Sequence, residues 1–143
     1  MFVLTTKAIN EIEIPPLLKS LNNGGIVLFE GVVRNHNEGR AVRSLEYECF
    51  NEMAQLEGDA IINDAFLKFG IKHIYAIHRY GHLELGEVAL RVAVSAPHRT
   101  EAFFVCQFVI DEIKRRVPIW KKEHYVEGAS DWVACHSCGG PHP

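Results

Sequence analysis

The sequence predicts a two-layer domain of interleaved strands and helices, α/β or α+β in class, built on a mixed sheet. Three observations carry this. Short apolar stretches with strand character alternate with two longer stretches of helical period. Gly and Asn-Gly punctuation falls between them, with no repeat, linker or low-complexity tract. The length of 143 residues, 48% apolar and 23% charged, suits one domain with a real core.

The elements follow in order. Phe2 to Thr5 makes a short strand, and Pro15 to Leu21 starts a short helix with proline in its first turn. Asn22-Asn23-Gly24-Gly25 turns the chain into a strand from Ile26 to Val33 that is apolar on both faces apart from Glu30. Arg34 to Arg40 is a polar connection containing Gly39. Val42 to Phe50 alternates, with Leu45, Tyr47 and Cys49 on one face and Glu46 and Glu48 on the other. Met53 to Phe69 is a helix that Gly70 ends. Ile71 to His78 and Val88 to Ser95 are strands, joined through Tyr80-Gly81-His82 and Leu85-Gly86. A long helix runs from about Pro97 to Arg116, and Trp132 to Cys135 adds a last strand.

Charge is distributed unevenly. The chain carries a net charge of −3, yet five of its fifteen Lys and Arg residues fall between positions 114 and 122: Lys114, Arg115, Arg116, Lys121 and Lys122. A positive edge on an acidic body is a poor nucleic-acid footprint and a good pocket for a small phosphate- or carboxylate-bearing ligand. Further basic groups come in compact sets, Arg34-Asn35-His36, His78-Arg79 and His98-Arg99.

On a helical wheel the long helix shows an apolar stripe of Ala102, Phe103, Cys106, Val109, Ile110 and Ile113. Lys114 falls at its boundary and Arg115 faces out. Desolvation there, with Arg116 and Lys121 close in sequence, would disfavour the charged lysine and suit it to proton transfer near neutral pH. The competing reading is that these cations only complement the negative end of the helix dipole, and it is preferred for Arg115 and Arg116. At the other end, Ser95-Ala96-Pro97-His98-Arg99-Thr100-Glu101 offers free N–H groups plus two side-chain donors, an anion site or equally a solvated cap. Arg99 and Lys114 are roughly 22 Å apart at 1.5 Å per residue, too far for one small substrate. Either one end is catalytic, or two subunits share their sites in a homodimer.

The four cysteines do not form a secreted disulfide framework. Cys49 and Cys106 occupy apolar faces. Cys135-His136-Ser137-Cys138 with His142 resembles half a zinc site, and residues 135–143 otherwise read as a flexible tail behind a domain of residues 1–134. The longest nearly apolar run, Phe103 to Ile110, is interrupted by Gln107 and is far short of a membrane span, and no signal peptide is visible. A cytoplasmic protein that engages neither membrane nor nucleic acid is expected.

One family matches these motifs. Gly31-Val32-Val33-Arg34-Asn35-His36-Asn37-Glu38-Gly39, Leu45-Glu46-Tyr47-Glu48, Met53-Ala54, His78-Arg79-Tyr80-Gly81, Ala96-Pro97-His98-Arg99, Ile110 to Lys114, and Val117-Pro118-Ile119-Trp120-Lys121-Lys122-Glu123 stand in the order of that family, with Gly128 and Trp132 beyond them. The chain thereby resembles the large, catalytic subunit of molybdopterin synthase, the MoaE family. The resemblance implies an α+β fold of α/β-hammerhead type, mainly antiparallel, with the long helix toward the C-terminus. It implies a central homodimer that binds two small ubiquitin-like sulfur-carrier subunits, giving a heterotetramer. The carrier's C-terminal Gly-Gly thiocarboxylate would deliver sulfur to cyclic pyranopterin monophosphate, forming the molybdopterin dithiolene with no further cofactor.

By the same resemblance Lys114 and Lys121 are the catalytic lysines, the first for proton transfer and the second to hold the thiocarboxylate or developing anion. Arg34, His98 and Arg99 resemble substrate and phosphate binders, with His98-Arg99 supplied by the partner protomer, and Glu123 orients Lys121 or meets the carrier. After Trp132 the sequence leaves the pattern, so Cys135, Cys138 and His142 stand as weak zinc candidates only. The rival readings are a phosphate- or nucleotide-binding module without chemistry, and a zinc-dependent scaffold.

Overall fold

The computed structural model describes residues 1–135. In chain order it contains β1 (Phe2–Thr5), 3₁₀ turns at Ile9–Glu11 and Pro16–Leu18, β2 (Gly25–Val32), β3 (His36–Asn37), β4 (Arg40–Cys49), α1 (Asn51–Phe69), β5 (His73–Arg79), β6 (Gly81–Glu84), β7 (Val88–Ala96), α2 (Arg99–Arg116), β8 (Ile119–Tyr125) and β9 (Trp132–Ala134). The strands form two sheets where one was expected. The first runs β1-β5-β7-β2, with β1 and β5 parallel and the other pairs antiparallel. The second runs β3-β4-β8-β9, with β6 also paired to β4, and its pairs are antiparallel. The α+β class holds, with a mixed first sheet and two helices.

Both helices pack on one face of the first sheet because their apolar residues recur at helical spacing. In α1 the buried positions are Ala54, Gly58, Ile61 and Ala65, and in α2 they are Ala102, Val105, Cys106, Val109 and Ile113. These meet Ile74 and Ala76 of β5 and Leu90, Val92, Val94 and Ala96 of β7. The opposite face of the same strands carries Tyr75, Ile77 and Ala93, covered by Ile9 and Leu18 from the 3₁₀ turns. Central β7 is therefore buried along its whole length. The helix expected from Pro15 to Leu21 is only the turn Pro16–Leu18. α1 closes on Gly70, whose φ of 69° is the left-handed conformation that glycine adopts freely.

Three strands were absent from the sequence reading: β3, β6 and β8. β6 is only four residues long. β8 follows from Pro118, which cannot continue α2 and forces Val117 into an extended conformation (φ −73°, ψ 127°). The chain then leaves the helix along β4, pairing Leu45 with Glu123, Tyr47 with Lys121 and Cys49 with Ile119. Charges occupy both faces of β8, so it lacks the apolar alternation that marks a half-buried strand. The polar stretch after β2 also gains structure. Glu38 and Gly39, both at positive φ (50° and 75°), make a two-residue turn that pairs His36–Asn37 with the start of β4.

Candidate functional site

A cavity of about 240 Å³ opens where the two sheets meet the end of α2. Arg34 reaches it from the segment after β2, Lys114 from the last turn of α2, and Lys121 and Glu123 from β8. Its walls are Val33, Leu45, Tyr47, His78, Ile113 and Cys135 among others. Three cations and one carboxylate therefore share a small, largely apolar recess, which suits an anionic ligand. Four of the site residues expected from sequence are thus brought together from three separate segments.

The local chemistry explains each placement. Lys121 and Glu123 are two apart on a strand, so both point to the cavity side, with Tyr47 and Leu45 directly opposite on β4. Lys121 Nζ lies 2.9 Å from Glu123 Oε1, and the Glu123 side chain is 9% exposed. The pair sets the Glu123 carboxylate directly against the Lys121 ammonium. Arg34 is exposed, and its guanidinium donates to Asn37 Oδ1 at 3.1 Å, while Asn37 Nδ2 donates to the Tyr125 hydroxyl at 3.3 Å. The Arg-Asn-His-Asn segment is in this way tied back to β8.

Lys114 departs from expectation in one respect. It lines the cavity but is exposed in the single chain, so the desolvation inferred from the helical wheel is absent there. The wheel placed it beside Phe103 and Ile110, and Phe103 is itself 63% exposed. Its neighbours are structural. Arg115 faces solvent and grips Glu112 with two hydrogen bonds, at 2.7 and 2.9 Å, which hold the Glu112 carboxyl below its ordinary range. Arg116 crosses to α1, donating to Glu57 at 3.2 Å and Asp64 at 2.6 Å.

His98 and Arg99 are not in this cavity. They cap the far end of α2, both exposed, and His98 borders a separate cleft with Asn23, His73 and Ser95. The helix runs Arg99–Arg116, so the separation along it is as the sequence required. Cys135, placed at the head of the tail by sequence, is instead buried in the core and lines the cavity. Cys138 and His142 lie outside the described residues. Among the described residues no group of three or more His, Cys, Asp or Glu side chains is placed to hold a metal. None of the described helices is long and apolar enough to cross a membrane.

His78 is a cavity residue that sequence reasoning overlooked. Burial, with the nearby positive charge of Lys114 adding to it, pushes its pKa down to about 4 although its Nδ1 bond to a carbonyl favours the charged form. A signal was available. His78 falls in phase with Ile74 and Ala76, on the strand face that packs under the helices, whereas Arg79 turns the other way to Glu87 at 3.1 Å.

The model of the family described as MoaE protein matches residues 4–116. The molybdopterin synthase catalytic subunit of Nostoc sp. is 37% identical over 142 residues, covering 96% of this chain and 84% of that protein, and so extends the likeness through β8. A crystal structure of molybdopterin synthase from Staphylococcus aureus superposes with a TM-score of 0.75 at 35% identity, covering 80% of this chain and 83% of that one. A complex of subunits 1 and 2 of molybdopterin-converting factor from Helicobacter pylori includes a chain with the same fold, with a TM-score of 0.64 at 18% identity and 90% of each chain covered.

Proposed function

This chain belongs to the MoaE protein family, and from that premise we propose that it is the catalytic subunit of a molybdopterin synthase. In this reading it moves sulfur from the C-terminal thiocarboxylate of a small ubiquitin-like carrier to cyclic pyranopterin monophosphate. Two such transfers, with opening of the cyclic phosphate, form the dithiolene. The observation that carries the proposal is the convergence of Arg34, Lys114 and Lys121 on one cavity beside Glu123. An incoming thiocarboxylate and a phosphate are both anions, and preorganised cations in a recess stabilise charge as it develops.

The roles follow from placement. Lys121, held at 2.9 Å by Glu123, has a fixed ammonium direction and suits an anion clamp. Lys114 carries no such carboxylate partner among the described residues and suits proton transfer to and from the reacting centre. Arg34 suits the phosphate because its planar fork offers paired donors. His98 and Arg99 would join from a second copy of the chain, the carrier docking on the outer side. The two-subunit complex of the Helicobacter pylori relative supports a small partner.

The test combines purified protein, cyclic pyranopterin monophosphate and thiocarboxylated carrier, with the product read by mass spectrometry. Dithiolene formation that stops when Lys114 or Lys121 is replaced by alanine is the expected result. Tight ligand binding with no sulfur incorporated would favour a binding module without chemistry.

A further inference from the structure

Sulfur transfer as proposed above leaves His78 unused, yet its surroundings are unusually specific. Its Nδ1 lies 2.8 Å from the carbonyl oxygen of Arg79. A carbonyl can only accept, so Nδ1 carries the proton and Nε2 carries the lone pair. The Tyr47 ring stands edge-on at 5.1 Å and 81°, which limits rotation of the imidazole plane. Nε2 has no hydrogen-bond partner among the described residues, and the residue forms part of the cavity wall while being only 5% exposed. Nε2 is not among the fully enclosed unpaired atoms, so an acceptor at the wall of an open binding recess is placed to take a donor that arrives with the ligand.

The charged groups lining the recess are Lys114 from α2, Lys121 and Glu123 from β8, and Arg34 after β2. The three cations only donate, and Glu123 is engaged by Lys121. They account for an anionic ligand, and the neutral lining side chains with an acceptor are Tyr47, Cys135 and His78. We propose that His78 is a substrate-binding, specificity-determining residue whose Nε2 accepts a hydrogen bond from an N–H or O–H of the substrate's heterocycle while Arg34, Lys114 and Lys121 hold its anionic part. The inference deepens the proposed function and rests on its reading that the substrate joins a ring rich in N–H groups to a phosphate. With a pKa near 4, the imidazole stays an acceptor throughout the neutral range and is a poor proton carrier there.

The first test needs no ligand and no variant. Nitrogen-15 spectra of histidine-labelled protein should show His78 neutral and protonated at Nδ1 between about pH 5 and pH 8, well clear of the ordinary histidine midpoint. A ring charged at pH 6, or protonated at Nε2 instead, overturns the proposal. The second uses two substitutions. In His78→Asn the amide nitrogen replaces Nδ1 and keeps the Arg79 contact but removes the acceptor, whereas in His78→Gln the amide oxygen reaches the Nε2 position. Calorimetric titration with cyclic pyranopterin monophosphate should show affinity lowered about tenfold in His78→Asn, the loss of one hydrogen bond, and partly restored in His78→Gln. Inorganic phosphate, which engages only the cations, should bind both variants as it binds the wild type. Wild-type pterin affinity in His78→Asn, or equal losses for pterin and phosphate, overturns the role of His78 alone. A wild-type protein that binds no pterin overturns the proposed function instead.

Discussion

Three consecutive basic residues end α2, and each does a different job. Lys114 lines the cavity, Arg115 grips Glu112 in solvent, and Arg116 ties α2 to Glu57 and Asp64 of α1. If Lys114 moves a proton, Lys114→Arg should fail nearly as badly as Lys114→Ala, with single-turnover rates down roughly 10²–10⁴-fold, because arginine keeps its proton and its planar fork does not replace a point charge. Arg115→Ala should leave turnover unchanged. Near-normal turnover in a folded Lys114→Arg protein would leave Lys114 as an electrostatic clamp. His78 gives a second prediction. The unfolded chain protonates this group below about pH 6.5 and the folded chain only below about pH 4. Protons therefore favour unfolding across that window, and stability falls as pH drops through it, by on the order of 3 kcal/mol at the acid end. Denaturant titrations at a series of pH values should show this loss in the wild type and a correspondingly shallower one in His78→Asn.

At the scale of elements, the main core depends on how closely α1 and α2 seat on the first sheet. α1 presents Gly58 where it crosses β1, and a Cβ built there would lie 2.0–2.4 Å from three ring atoms of buried Phe2. Gly58→Ala would raise helix propensity by up to about 1 kcal/mol. The clash acts against that gain and is larger, because Phe2 is enclosed by Ala54, Ile61 and neighbouring core residues. A net destabilisation of about 1–3 kcal/mol is expected, lowering Tm by several degrees in a thermal melt. An unchanged or raised Tm would mean that Phe2 has room to move. β8 is the second decisive element, because its pairing with β4 carries Lys121 and Glu123 to the cavity beside Tyr47. Its direction is set by Pro118, which stops α2 immediately before it.

For the whole molecule, the ends of α2 pose the open question. Lys114 is at the cavity, while Arg99 caps the opposite end roughly 22 Å away at the helical rise per residue. Both can act on one substrate only if a second copy brings its own His98 and Arg99 to the cavity. Ile26, Leu28 and Val32 are exposed on one face of β2, at the edge of the first sheet, with Glu30 between them held by Arg91, and this face is suited to burial against another chain. Mixed dimers of Arg99→Ala and Lys114→Ala chains should then recover activity, since some of their sites would hold both intact groups. Mixtures no more active than either variant alone would rule out shared sites.

The sequence alone determined the α+β class, the helix limits and the positions of most strands. Those features come from local causes: helical spacing of apolar residues, Gly70 at positive φ, Pro118 after α2. It also supplied Arg34, Lys114, Lys121 and Glu123, through motifs whose order along the chain matches one family. The tertiary structure decided what depends on contacts between distant segments. It divided the strands into two sheets and recruited β8, whose charged faces hide its strand character because one of them lines a cavity. It left Lys114 exposed, since a helical wheel shows which residues share a face but not what packs on that face. It buried Cys135 beside the lysines, which no local pattern could settle, and it brought His78, whose phase with Ile74 and Ala76 marks only its strand face, to the same cavity, because burial is set by elements that come from all along the chain.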